Sequence, residues 1–360
     1  MSELLKVNDC GIYCAAGDFY IDPWRPVPRA VVTHAHSDHA RWGCQSYLTT
    51  EEGRGVLARR MGSDAVIETV RYGQTVTIGS ATVSLHPAGH ILGSAQVRVE
   101  SGGDVWVVSG DYKIEPDPTC TPWEPVPCRT LVSECTFGLP IYRWSDSRAV
   151  FAEIDAWRRR NRDAGRVSVL FGYSLGKAQR LLAGVDPSIG AIYCHGSVQG
   201  LNADYRAAGI PLPPTEYAGT YDKKKAEAGA LVVAPPSALG SSWMRRFGDV
   251  STAFASGWMA VRGTRRRRNV DKGFVLSDHV DWPGLEVAVK ESGAERVLFT
   301  HGSTYAASRF FTEKGLDAGA LKTEYQGEAE ESEGALDADA QAPDAESEAN
   351  ADAPSSSQES

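Results

Sequence analysis

Within seven residues, Thr33-His34-Ala35-His36-Ser37-Asp38-His39, lie three imidazoles and a carboxylate, all able to bind a divalent cation. They follow the β-branched run Ala30-Val31-Val32-Thr33, and they face a common centre only where the chain turns. His34 and His36 are two apart and so project to one side of an extended chain. Asp38 and His39 are adjacent, and in a turn or first helical turn they address a second ion. Neutral imidazoles with a carboxylate suit Zn²⁺ best, with Mn²⁺ the other candidate.

One cluster does not fill two coordination spheres, so further ligands are expected at other strand ends. His90 lies in a glycine turn, Ala88-Gly89-His90, after the strand candidate Ala81–Leu85. Asp111 ends Val105-Trp106-Val107-Val108-Ser109-Gly110, and a carboxylate after so apolar a run needs a strong partner. His301 ends Arg296-Val297-Leu298-Phe299-Thr300, and His279 follows Phe274-Val275-Leu276-Ser277-Asp278. Each alone reads as a satisfied structural residue, the more common case for an isolated histidine. Their shared placement at strand ends favours a site.

The elements that must carry these residues fall into two rhythms. Up to about Phe137 the chain reads as short strands and turns: Ile12–Tyr13, Phe19–Ile21, Ala30–Thr33, Ala81–Leu85, Ala95–Val99 and Val105–Val108, with helical spacing from Glu51 to Met61. Strand–helix alternation follows, with helices at Ala149–Arg162 and Lys177–Ala183 and strands at Val167–Phe171, Ala191–Cys194 and Ala230–Val233. Such alternation predicts a parallel α/β unit. From Gly273 the first rhythm returns in strand Phe274–Leu276, helix Trp282–Ser292, strand Arg296–Thr300 and helix Thr304–Lys314. The expectation is therefore an α/β domain inserted into another domain.

The segments HAHSDH, AGH, GD and THG together resemble the metallo-β-lactamase superfamily. The inserted unit, Ser133-Glu134-Cys135-Thr136-Phe137-Gly138 and Ser277-Asp278-His279 narrow the likeness to its β-CASP nucleic-acid-processing branch. GDFYIDPWRPV, THAHSDHARWG, GHILGSA, SGWMAVRG and LSDHVDWPGL look most like the bacterial ligase-associated DNA damage response exonucleases. The resemblance runs to about Tyr325. It implies an αββα sandwich in residues 1–137 and 271–325, a β-CASP domain in 138–270 and an acidic tail from 326 to 360.

By that resemblance His34, His36 and His90 hold one metal, Asp38, His39 and His301 hold the other, and Asp111 bridges both. Asp22 matches an acidic motif that orients the cluster from behind, although a buried structural role fits it nearly as well. Two cations about 3.5–4 Å apart acidify a bridging water and stabilise an in-line displacement. Asp38, Glu134 and His279 are then the catalytic set, with Glu134 holding His279 to protonate the departing 3′-oxygen. The implied cofactors are two divalent ions, Zn²⁺ before Mn²⁺.

For substrate, Gly172-Tyr173-Ser174-Leu175-Gly176-Lys177 sits between strand and helix, where backbone N–H groups, Ser174 and Lys177 suit a phosphate. It lacks P-loop spacing, and a plain turn remains open. Arg265, Arg266, Arg267 and Arg268, with Arg262 just before, form the densest positive charge; such a run is more often a solvated loop, but its place where the inserted unit returns favours a phosphate contact. Trp258, Tyr173 and Tyr205 are candidates for base stacking, with core packing preferred for at least two. Where the branch often carries Asp-Ser-Pro this chain has Cys194-His195-Gly196, so His195 is either a substrate contact or a different turn.

The formal charge of −9 misleads. Residues 326–360 hold 11 of the 46 acidic residues and no Lys or Arg, leaving 35 against 37 basic residues in the body. The tail has too little apolar surface to fold. Seven cysteines without a C-x-x-C pair read as buried free thiols. No apolar run nears the roughly 20 residues of a membrane span, and MSELLKVNDC lacks a secretory signal's regions. Cytoplasmic location is expected.

The reading favoured is a DNA exonuclease in repair, acting on single-stranded DNA, with an ATP-dependent DNA ligase and a helicase as partners. An RNA-processing nuclease is the alternative, because a histidine where His301 falls is common among the branch's RNA enzymes. A thioester or lactone hydrolase is disfavoured by the inserted unit, the arginine run and the Glu134/His279 pair.

Overall fold

The computed structural model describes residues 3–224, 228–263 and 269–324, so Arg265–Arg268 and the acidic tail lie outside the described residues. Strands β1 (Leu5–Asn8), β2 (Gly11–Cys14), β3 (Phe19–Ile21), β4 (Arg29–Val31), β5 (Ser46–Thr50) and β6 (Ile67–Val70) pair in chain order as one sheet, with helix α1 (Arg54–Met61) between the last two. A second sheet takes β7 (Thr75–Ile78), β8 (Ala81–Pro87), β9 (Ala95–Ser101), β10 (Asp104–Val108) and β11 (Thr130–Cys135). It is completed by β18 (Arg296–Gly302) and β19 (Asp317–Ala320), in the order β19-β18-β11-β10-β9-β8-β7.

Strand alternation decides what lies between and outside these sheets. Val31, Val108, Val132 and Leu298 turn into a core shared by both sheets, alongside Phe19, Ile21, Leu85 and Val97. Their neighbours Val107, Leu131, Val297 and Phe299 face the other way. They pack on Trp282, Leu285 and Val289 of α5 (Trp282–Ser292) and on Phe311 of α6 (Thr304–Glu313). Ala30 and Val32 likewise meet Val56, Leu57 and Met61 of α1. Helices therefore cover the outer faces of two sheets that share one core.

Every strand of the third sheet lies between β11 and β18 in the chain. These are β12 (Val167–Phe171), β13 (Ile192–Cys194), β14 (Glu216–Tyr217), β15 (Leu231–Ala234), β16 (Val250–Ala255) and β17 (Lys272–Phe274), ordered β14-β13-β15-β12-β16-β17 and parallel throughout. The central strands β12 and β15 are buried on both faces, which is why they read as unbroken apolar runs. Helix α2 (Ser147–Asp163) begins where the Asp146 side chain accepts from Arg148 N at 2.9 Å, and it buries Ile154 and Trp157 on this sheet. Helices α3 (Lys177–Gly184) and α4 (Gly196–Ala207) add Leu181, Leu182 and Val198 to the same core.

Two expectations shift. The helix expected from Glu51 starts at Arg54, because the Thr50 hydroxyl and the Gly53 N–H pair in a turn first. The strand expected at Phe274–Leu276 is β17, Lys272–Phe274, and the Leu276 carbonyl turns to accept from Lys177 Nζ at 2.8 Å. All seven cysteines are free, but Cys10, Cys44 and Cys128 are only half-buried. Among the described residues no helix is long and apolar enough to cross a membrane.

Candidate metal centre

Strands β8, β10, β11 and β18 run in one direction, since β9 is antiparallel to both β8 and β10, and β10, β11 and β18 are mutually parallel. Their carboxyl ends deliver His90, Asp111, Glu134 and His301 to one edge. There β4 of the first sheet delivers the histidine cluster. Two glycines permit the approach. A Cβ on Gly110 would stand 2.6 Å from the Thr33 Cβ, and one on Gly302 would stand 2.4 Å from the Cys135 carbonyl oxygen. Both have positive φ, a region glycine enters without steric cost. His301 and Asp22 adopt φ of +55° and +44° without that freedom. Such strain persists where surrounding structure fixes it, often at functional sites.

Three imidazole nitrogens converge. His36 Nδ1 lies 3.1 Å from His34 Nε2 and 3.1 Å from His90 Nε2. The opposite nitrogen of each ring meets an oxygen: Thr33 Oγ1 at 3.1 Å from His34, the Leu175 carbonyl at 3.1 Å from His36, and the Asp278 carbonyl at 2.9 Å from His90. A carbonyl only accepts, so His36 and His90 carry their proton on the outer nitrogen and turn lone pairs inward. Burial pushes His34, His36 and His90 below the ordinary imidazole range, His34 and His90 strongly. Neutral rings with facing lone pairs are ligands in waiting.

The second half is more acidic. His36 to Ala40 forms a tight turn, with His39 N and Ala40 N donating to the His36 carbonyl. His39 Nδ1 meets Asp22 Oδ2 at 2.7 Å, and Asp22 also accepts from Thr33 N and Thr33 Oγ1 at 2.8 and 2.5 Å. His39 Nε2 stands 3.3 Å from Asp38 Oδ2 and 3.4 Å from Asp111 Oδ2. Burial works against a charged His39, yet Asp38, Asp111 and Asp22 together raise it well above the ordinary range. Burial likewise opposes ionised Asp111, but His39, His279 and His34 hold it well below the usual carboxylate range.

Asp111 is common to three groupings able to hold a cation: with His34, His36 and His90; with His39 and His301; and with Glu134 and His279. Its Oδ1 is buried without a hydrogen-bond partner, a costly state for a carboxylate unless a cation serves it. The residues present therefore fit divalent metal. A cavity of about 30 Å³ adjoins the His39 half, lined by Asp22, Trp24, Asp38, Ser109, Gly110 and His301 among others.

His279 Nδ1 lies 2.9 and 3.0 Å from the two Glu134 oxygens. Glu134 also accepts from Tyr112 N at 3.0 Å and Thr136 N at 3.3 Å, so the carboxylate is pinned before it meets the imidazole. Six of the eight histidines thus gather in one site. Thr33 and the carbonyls of Leu175 and Asp278, which hold the rings, carried no sequence signal.

The expected substrate contacts are placed differently from one another. Lys177 is buried, with Nζ 2.9 Å from Asp278 Oδ2, and Arg180 bonds Asp278 Oδ1 at 3.0 Å and Asp117 Oδ2 at 2.8 Å. This ionic network ties α3 to the loop that carries His279. Ser174 is buried with its hydroxyl 2.8 Å from Ser197 Oγ. His195 caps α4, its Nδ1 accepting from Ser197 N at 3.3 Å, and its ring meets Trp243. Tyr205 is fully buried with its hydroxyl against Leu92 N and supplies no open face, whereas Trp258 is partly buried and packs on Phe137. Replacing Asp278 with alanine would take the paired carboxylate from buried Lys177 and one of the carboxylates from buried Arg180, which keeps Asp117. Unfolding in urea is expected to show a loss of about 3–5 kcal/mol, and a loss below about 1 kcal/mol would mean the pairs are already hydrated.

No family model matches the chain. It is 32% identical over 320 residues to a probable DNA ligase of Opitutus terrae, covering 88% of this chain but 31% of the ligase. It is 32% identical over 172 residues to the endoribonuclease ysh1 of Aspergillus fumigatus, covering 44% of this chain and 19% of that one. Against endoribonuclease YSH1 of Saccharomyces cerevisiae the figures are 32% over 124 residues, 33% and 15%. The chain is kin to both kinds. That kinship agrees with the resemblance to a ligase-associated β-CASP nuclease read from its motifs. The chain spans less than a third of the length of these curated relatives. Among solved structures, a protein of unknown function from Enterococcus faecalis V583 shares the fold with a TM-score of 0.53 at 11% identity, covering 83% of this chain and 80% of that one.

Proposed function

We propose that the chain is a metal-dependent phosphodiesterase of nucleic acid, a β-CASP exonuclease that trims single-stranded DNA in repair. The supporting observation is the convergence of six histidines with Asp38 and Asp111 at one edge of the sheets. In this reading the two facing sheets with outer helices are the metallo-β-lactamase sandwich, residues 1–137 and 271–325. The third sheet and its helices are the β-CASP insertion, 138–270, although the last strand of that sheet, β17, lies at Lys272–Phe274, just past the expected boundary. DNA is favoured because the match to a probable DNA ligase runs over 88% of the chain. A DNA ligase and a helicase are the proposed partners. The second reading, an RNA-processing nuclease, is favoured by the endoribonuclease relatives.

His34, His36, His90 and Asp111 would hold one ion, and Asp38, His39, His301 and Asp111 the other, with Zn²⁺ preferred over Mn²⁺ by the nitrogen-rich donors. Bound there, divalent cations would supply an activated water and Lewis-acid stabilisation of charge on phosphorus. Asp22 holds His39 in its ligating orientation. Glu134 accepts the Nδ1 proton of His279, leaving Nε2 to carry the proton given to the departing 3′-oxygen. Products are a 5′-phosphate and a 3′-hydroxyl.

The test is cleavage of matched single-stranded DNA and RNA oligonucleotides, end-labelled separately, with Zn²⁺ or Mn²⁺ and an Asp38→Ala control. DNA shortened stepwise from one end, with RNA spared and the control inert, is the expected result. Preferential cutting of RNA would move the protein to transcript processing, and cleavage of neither would end the nuclease reading.

A further inference from the structure

We propose that Trp42 and Tyr305 form a base-stacking rim beside the metal centre, taking the unpaired bases of a single-stranded nucleic acid. The inference rests on the nuclease reading and names how its substrate is gripped. Trp42 and Tyr305 are 71% and 78% exposed, the most exposed large apolar side chains among the described residues. They lie far apart in the chain, Trp42 in the loop between β4 and β5 and Tyr305 in the first turn of α6, yet each lies just beyond a residue of the same half of the cluster. Trp42 is three residues past His39, Tyr305 is four past His301, and the two imidazole rings are 5.4 Å apart. At roughly 3.5 Å per residue, both aromatic residues stand within about 14 Å of their histidine.

Both rings project from anchored backbone. The Tyr47 hydroxyl donates to the Arg41 carbonyl at 2.8 Å and accepts from Cys44 N at 2.9 Å, which fixes the turn that carries Trp42. Ser303 N donates to the Cys135 carbonyl at 3.3 Å, and Ala307 and Phe311 bury the inner face of α6, so Tyr305 sits on a held first turn. A fixed aromatic face loses little freedom on binding. At the other end of the cluster the Leu175 carbonyl meets the outer nitrogen of His36, and the cavity beside the cluster lies on the His39–His301 half.

The chemistry beside the rings selects the occupant. Arg41 is exposed next to Trp42, and exposed Arg309, ion-paired with Glu313 at 2.8 Å, follows Tyr305 by one helical turn on the same face. Cations interleaved with aromatic faces match a chain of phosphates bearing planar bases. Stacking is tolerant of sequence because every base has a π-face, and bases already stacked in a duplex gain nothing from it. The rim therefore favours single strands.

The probe is a fluorescent phosphorothioate oligothymidylate, with an abasic strand of the same length and linkage beside it. Their binding to the full chain in Mn²⁺ is followed by anisotropy. Trp42→Ala and Tyr305→Ala are each expected to raise Kd for the thymidylate about tenfold, the scale of one base on one ring. Trp42→Phe should restore most of the affinity, and neither alanine variant should weaken the abasic strand. Unchanged Kd for the thymidylate, or an equal loss on both strands, would overturn the rim. Cleavage of an ordinary oligothymidylate by the unaltered chain reads out separately. Its absence would end the nuclease reading, whereas its presence with unchanged binding in both alanine variants would end the rim alone.

Discussion

Asp111→Ala is expected to lower phosphodiester cleavage on the order of a thousandfold and to remove bound metal. Asp111 is the one residue shared by all three donor groupings, and its Oδ2 lies 3.5, 3.4 and 3.8 Å from nitrogens of His34, His39 and His90. Losing it takes away the one carboxylate, among the described residues, common to both halves, and a loss of several kcal/mol in transition-state stabilisation corresponds to that rate factor. Asp111→Asn is the stricter variant because it keeps the shape and removes the charge. Metal content by mass spectrometry and single-turnover cleavage are the two readouts. Full activity with full metal in the asparagine variant would reduce Asp111 to a structural carboxylate and sink the two-ion arrangement.

The cluster was legible because its information is local. His34, His36, Asp38 and His39 fall within six residues, and period-two spacing places two of them on one side. The strand ends that carry Asp111 and His301 were visible as apolar runs stopping at a polar residue. What gathers them was not visible. The parallel pairing of β10 with β11 and β11 with β18 joins residues 24 to 167 positions apart, and no local pattern encodes which strands pair. The outer partners of His36 and His90 are backbone carbonyls, which carry no residue identity at all.

The substrate contacts show the converse failure. Lys177 at the start of α3 has the composition of a phosphate contact, but buried Asp278 and the Leu276 carbonyl claim its ammonium. Sequence proximity to a helix start says nothing about which side chain lies across the interface. Helix α4 was missed for a related reason. It opens Gly196-Ser197 and contains Gly200 and Asn202, weak helix formers, and it is held by Val198 and Asn202 in the core rather than by propensity. Trp42 and Tyr305 escaped notice because exposure is a tertiary property. An aromatic residue beside a ligand motif reads in sequence as core.

His279→Ala is expected to slow cleavage of an oligonucleotide by about 10²–10⁴-fold with metal content unchanged, the range for removing a general acid. Glu134→Gln should do part of the same damage. The amide cannot accept the Nδ1 proton as a carboxylate does, and it disturbs the bonds from Tyr112 N and Thr136 N. The discriminating substrate is a p-nitrophenyl phosphodiester, whose leaving group departs without needing a proton. If His279 supplies that proton, the variant's deficit should shrink to within a few-fold on the activated ester while remaining large on the oligonucleotide. His279 Nδ1 is also 3.9 Å from Asp111 Oδ2, and the two share a donor grouping with Glu134. A ligand role would therefore show as lost metal, together with equal damage on both esters.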